Sequence, residues 1–170
     1  MNYSLCQKIN VQRIILQGGL VDMRIRFDEQ LEQLNEEMIN MGNMIEASIG
    51  NAVKALMKQD EELAKKTMAG DEKIDRTERK IEDLCLRLLL QQQPVARDLR
   101  NISSALKMVT DMERIGDHAV NLAEYGDDMR KWEIDFSDTV KEELNEMKAQ
   151  CIAALDNLKE VTSENVERIL

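Results

Sequence analysis

Two runs of acidic residues in this chain have a spacing that chemistry can use. Asp71, Asp75, Glu78 and Glu82 follow one another at steps of four, three and four, which puts them on one face of a helix. Glu113 and Asp117 repeat the four-residue step, and they fall where the apolar series Leu99, Ile102, Leu106 and Val109 would continue. Pro94, the only proline, lies between the two runs and separates two helices. In an antiparallel pair joined there, residues equidistant from the turn stand at the same height. Asp75 and Glu113 are each 19 residues from Pro94, and Asp71 and Asp117 are each 23.

Four carboxylates facing each other across a helix pair need protons, cations or open solvent. Oxygen ligation of a divalent or trivalent metal is one solution, as in carboxylate helix bundles. Arg76, Arg79 and Arg114 are close enough in sequence to neutralise the acids instead. A solvated face laced by ion pairs one turn apart is the third solution. A di-iron oxidase would require Glu-x-x-His, but Gly116 stands three residues after Glu113. His118, the only histidine, points about 100° away from Asp117 and reads as a surface residue. With no nucleophile–base pair, phosphate loop or cysteine motif, the sequence predicts a protein that is not an enzyme.

The elements that would position these acids are helices. Of 170 residues, 33% are charged and 3% aromatic, with seven glycines and one proline, a composition of long helices. Leu31, Leu34, Met38, Met41, Ile45, Ser48, Ala52 and Ala55 alternate steps of three and four, the stripe of a bundle helix. Asp60, followed by Glu61 and Glu62, reads as the N-cap of a second helix running towards Gln91. The third runs to about Tyr125, ended by Gly126, Asp127 and Asp128, with a linker over Trp132 to Asp135. A fourth carries Val140, Leu144, Met147, Cys151, Ala154, Leu158 and Val161, and Thr162 or Ser163 caps a fifth. Shifting the sequence by 102 places Ala52 on Ala154, Leu56 on Leu158 and Asp60 on Thr162, a weak repeat signal. The expected fold is all-α: an up-down three-helix bundle over 23–130, followed by the start of a second, incomplete repeat over 131–170.

The first 22 residues show no stripe and end in Gln17-Gly18-Gly19 shortly before Met23. That tripeptide can be encoded by a purine-rich ribosome-binding sequence, so 1–22 is either translated leader or a disordered arm. A net charge of −10 and a pI near 4.7 argue against nucleic-acid binding. No apolar run is long enough to span a bilayer. Cys6, Cys85 and Cys151 are odd in number and widely spaced, as in a cytosolic protein whose thiols are reduced core residues. The fourth helix's stripe, with the first three helices already sharing theirs, predicts self-association.

The segments Gln92-Gln93-Pro94-Val95-Ala96-Arg97-Asp98-Leu99-Arg100 and Asp111-Met112-Glu113-Arg114-Ile115-Gly116-Asp117-His118-Ala119 resemble the PhoU family of phosphate-signalling regulators, as does the Asp71–Asp75 segment. The resemblance covers about 23–170. It implies two side-by-side three-helix repeats and Glu/Asp-x-x-x-Asp motifs that bind metal: iron first, with zinc, manganese or magnesium as further candidates. Asp71, Asp75, Glu113 and Asp117 would then be the ligands of the first repeat. It also implies a cytoplasmic homo-oligomer, peripheral to the membrane through its partners only. Those partners would be the ATPase subunit of a phosphate ABC transporter and a sensor histidine kinase. The second motif pair would lie beyond residue 170, so the resemblance also implies a truncated member. Arg97 and Arg100, beside the helix-hairpin tip, are candidate partner contacts; pairing with Asp98 and neighbouring acids is the plainer role for them. A carboxylate-bundle iron protein and a helical adaptor without metal are the alternative functions.

Overall fold

The computed structural model describes the backbone of residues 3–91 and 95–167 and the side chains of 23–90 and 95–163. Its described elements are helices: α1 (Tyr3–Lys58), α2 (Glu61–Gln91), α3 (Ala96–Lys131) and α4 (Asp138–Glu167). The helices α1, α2 and α3 pack pairwise as an up-down bundle, and α4 packs along α1. All eight positions of the α1 stripe, Leu31 through Ala55, are buried. They meet Ile74, Ile81, Cys85 and Leu88 of α2 and Ile102, Val109 and Met112 of α3 in one core. Asp60 caps α2 as its sequence position predicts, its Oδ1 accepting the Leu63 amide proton at 3.0 Å. Gln59 turns the chain between α1 and α2 in the left-handed region, at φ 54°.

Several boundaries depart from the sequence reading. The backbone is helical from Tyr3, so α1 continues through the stretch without a stripe. A nucleated helix adds one hydrogen bond per residue and needs no buried face to propagate. The leader reading of 1–22 concerns translation and is independent of this backbone. The third helix does not stop at Gly126 but runs to Lys131. Gly126 is a crossing point, because a Cβ there would stand 2.8 Å from the Leu56 Cα of α1. No fifth helix starts at Thr162. The hydroxyls of Thr162 and Ser163 donate to the Leu158 and Lys159 carbonyls, at 2.8 and 2.9 Å, so they bond back one turn instead of capping forward.

The fourth helix buries only part of its apolar stripe: Leu155 joins the core and Leu158 packs against it. Among its described side chains Leu155 and Thr162 are buried, while Met147 and Val161 stay 61% and 58% exposed and Cys151 is exposed. An ion pair and a hydrogen bond hold this face on α1: Lys159 Nζ lies 2.7 Å from Glu46 Oε2 and donates to Asn43 at 3.1 Å. Gly42 admits the Lys159 stem, whose Cγ would lie 3.2 Å from any Cβ there. Folding back on α1 thus takes up part of the apolar surface from which self-association was predicted.

Candidate functional site

The acids are brought together by a close approach of α2 and α3. Gly116 is buried, and a Cβ on it would meet Ile74 Cδ1 at 3.2 Å and Cγ2 at 3.3 Å. Ile74 lies between Asp71 and Asp75 in sequence and Gly116 between Glu113 and Asp117, so the two backbones come together at the height of the four acids. The sequence reading put Gly116 against an oxidase motif, and the structure gives it this positive role.

Electrostatics tie the four into one group. The Asp71 carboxyl is held above its ordinary range, first by burial and then by the charges of Asp75 and Asp117. Glu113 is raised by burial and by Asp117, Asp75 and Asp71, against a lowering by Arg114. Glu78 joins them, raised by burial and by Glu113, Glu82 and Asp75. The predicted neutralisers mostly point elsewhere. Arg76 pairs with Glu72 at 3.1 Å and Arg114 with Asp111 at 3.4 Å. Arg79 reaches Asp75 at 3.5 Å, at an exposed position where an ion pair contributes little. Asp71 is half-buried, and its Oδ1 is enclosed without a hydrogen-bond partner, which is unfavourable for a carboxylate oxygen.

A hard cation fits the donor type here, since every candidate ligand is a carboxylate oxygen, and it would satisfy the orphaned Asp71 oxygen. As the side chains stand, no three His, Cys, Asp or Glu among the described residues converge closely enough to hold one ion together. His118 is exposed and outside the group.

Arg97 and Arg100 are exposed in the first turns of α3. Their expected pairing with Asp98 is corrected by the structure. Asp98 is buried and accepts from Arg24 Nη1 of α1 at 2.9 Å. Arg24 also pairs with Asp28 at 3.1 Å and lies 5.1 Å over the Phe27 ring. Asp98 therefore takes the inward position expected of Leu99, which is 46% exposed. Arg24 carried no sequence signal, because its partner lies 74 residues away. Of the three thiols, Cys85 is a core residue whose pKa burial pushes up to about 11; Cys151 is exposed, contrary to expectation, and Cys6 lies outside the residues whose side chains are described.

Among the described residues no helix is long and apolar enough to cross a membrane. The PhoU domain model matches residues 38–126, a span that holds all four acids and both arginines. The chain is 47% identical over 98 residues to a phosphate-specific transport system accessory protein PhoU homolog of Clostridium acetobutylicum, covering 57% of this chain and 45% of that one. It is 35% identical over 94 residues to the phosphate-specific transport system accessory protein PhoU of Escherichia coli, covering 55% and 39%. The crystal structure of PhoU from Pseudomonas aeruginosa superposes with a TM-score of 0.75 at 30% identity, over 81% of this chain and 65% of that one. The matched part spans less than half the length of these curated relatives.

Proposed function

The chain belongs to the PhoU domain family, and on that premise we propose that it is an accessory regulator of phosphate uptake. In this reading it acts in the cytoplasm with a phosphate ABC transporter and a membrane histidine kinase, and represses the phosphate-starvation response when phosphate is ample. It reaches the membrane only through those partners, and Arg97 and Arg100 are the side chains offered to them. The relatives' names, which tie them to the phosphate-specific transport system, support the transporter half of this reading.

The carboxylates Asp71, Asp75, Glu113 and Asp117 are proposed to hold metal, with iron the first candidate. The carrying observation is the buried, unpartnered Asp71 Oδ1 among acids whose charges raise one another's proton affinity. A bound cation would cancel that repulsion and lock α2 to α3 at the level of Gly116. The helical-adaptor reading is favoured by one observation, the lack of three converging ligands among the described residues.

Thermal unfolding with and without added metal separates the two. Metal that binds the folded chain alone raises the midpoint by mass action. Asp75→Asn with Glu113→Gln should abolish that rise and make the metal-free protein more stable, by removing like-charge repulsion. If the double variant is instead less stable without metal, the acids serve ion pairs and the ligand reading is wrong.

A further inference from the structure

On the side of α1 away from α4, a trough of about 390 Å³ runs between α1 and α2. Its floor is small and apolar: Ala47 and Gly70, with Met44 and Ile74. A Cβ on Gly70 would meet nothing within 4 Å, so the trough has room for another molecule's ridge.

Part of its polar lining is without protein partners among the described residues. Ser48 is 9% exposed; its hydroxyl makes no hydrogen bond among the described residues and stays open to solvent in the trough. Thr67, also lining the trough, donates to the Leu63 carbonyl at 2.8 Å in the usual way for a helical hydroxyl. The Asn51 amide is likewise unbonded, and Lys66 and Lys73 form no ion pair among the described residues. The lysines just outside the trough are paired, Lys65 with Glu61 and Lys80 with Glu37. Lys54, seven residues after Ala47, adds a further ammonium on the same flank of α1.

In a chain of net charge −10, unpaired lysines gathered around one apolar trough mark where an anion is welcome. The groove between two packed helices matches the ridge of a third helix rather than a strand, for which it offers no sheet edge. We propose that the α1–α2 trough docks an acidic amphipathic helix of a partner protein. Its apolar ridge seats over Ala47 and Gly70. Its carboxylates meet Lys66 and Lys73, and one of them reaches the Ser48 hydroxyl and the Asn51 amide. A second copy of this chain would bring a whole body of net charge −10 against its twin, whereas a short acidic segment feels mainly the local lysines, within a Debye length of about 8 Å.

The test uses a fluorescein-labelled 18-residue synthetic helix with a leucine ridge and glutamate flanks, titrated with the full chain and read by anisotropy. Binding should fall at least tenfold with Lys66→Glu plus Lys73→Glu, and severalfold with Ser48→Ala. It should weaken steeply with salt, and vanish for the same peptide with lysine flanks. The two lysines project from helix surfaces, and circular dichroism checks that the variants keep the fold. Equal binding by the lysine-flanked peptide, or no effect of the lysine variants, overturns the proposal. So does full displacement by inorganic phosphate at micromolar concentration, which would make the trough a small-anion site. A dimer by light scattering that the lysine variants dissolve would assign it to a second copy and likewise overturn it.

Discussion

The bundle of α1, α2 and α3 and the single helix α4 are built from the same pattern, apolar residues at steps of three and four, yet only the bundle buries its pattern. Every stripe position of α1 is covered, because two neighbours flank it and the core closes from three sides. The α4 stripe has one neighbour, and only its Leu155–Leu158 flank, with Thr162 and the Lys159 stem, is turned to the bundle, while Met147 and Val161 stay exposed. Periodicity predicts that a helix has a face to hide. What it hides against, and therefore which flank wins, is decided by how many partners surround it.

The contrast can be broken most forcefully by truncation. Ile81→Ala, at a fully buried site, should cost about 2–5 kcal/mol in urea unfolding. Val161→Ala on the exposed flank of α4 should stay within about 0.5 kcal/mol. A loss at Val161 comparable to that at Ile81 would mean that a second molecule covers the stripe.

Two glycines sharpen it next. Gly126→Ala places a methyl group against the α1 backbone and should destabilise by about 1–3 kcal/mol, although alanine is the better helix former. Gly70→Ala has free space around it and should stabilise by up to about 1 kcal/mol. If both changes have the same sign, α1 and α3 do not cross as closely as described.

The smallest effect is the pH response with metal chelated. Asp71, Glu78 and Glu113 have folded values raised above the ordinary ones. Their contribution is fully present below the unfolded values and is lost as pH rises through the raised ones. Glu61, Asp127 and Asp135, paired near the start of α2 and around the α3–α4 linker, are lowered by Lys65, by Lys131 and by Lys141 respectively. What they contribute is lost as pH falls through their lowered values. Mild acidification from neutral should therefore stabilise the metal-free chain before stronger acid weakens it. Asp75→Asn with Glu113→Gln should shrink the first limb and leave the second unchanged, as followed by the urea midpoint across pH, since burial still raises Asp71 and Glu78.

Much of the bundle was legible because its determinants are local. The α1 stripe, the Asp60 cap and the equal distances of the acids from Pro94 each need only residues near in sequence and a hairpin. What escaped was set by distant partners. Asp98 turns inward and displaces Leu99 because Arg24 waits on another helix. Gly126 reads as a stop signal until Leu56 is seen against it. Thr162 reads as a cap because its hydroxyl could equally bond forward or back. At the acids, the sequence shows which carboxylates stand equally far from Pro94, but the close approach allowed by Gly116 and the orphaned Asp71 oxygen needed coordinates.

The bond between Lys159 and Glu46 closes 113 residues of chain, whereas α2 and α3 follow one another in sequence, ending at Gln91 and starting at Ala96. Loop closure of that length is slow and entropically costly, so α4 should dock only after α1 has been straightened by the bundle. Under a pull on the C-terminus the order reverses: α4 touches one helix along one face, so it would peel off turn by turn at low force, leaving the three-helix body and its acids under almost no load.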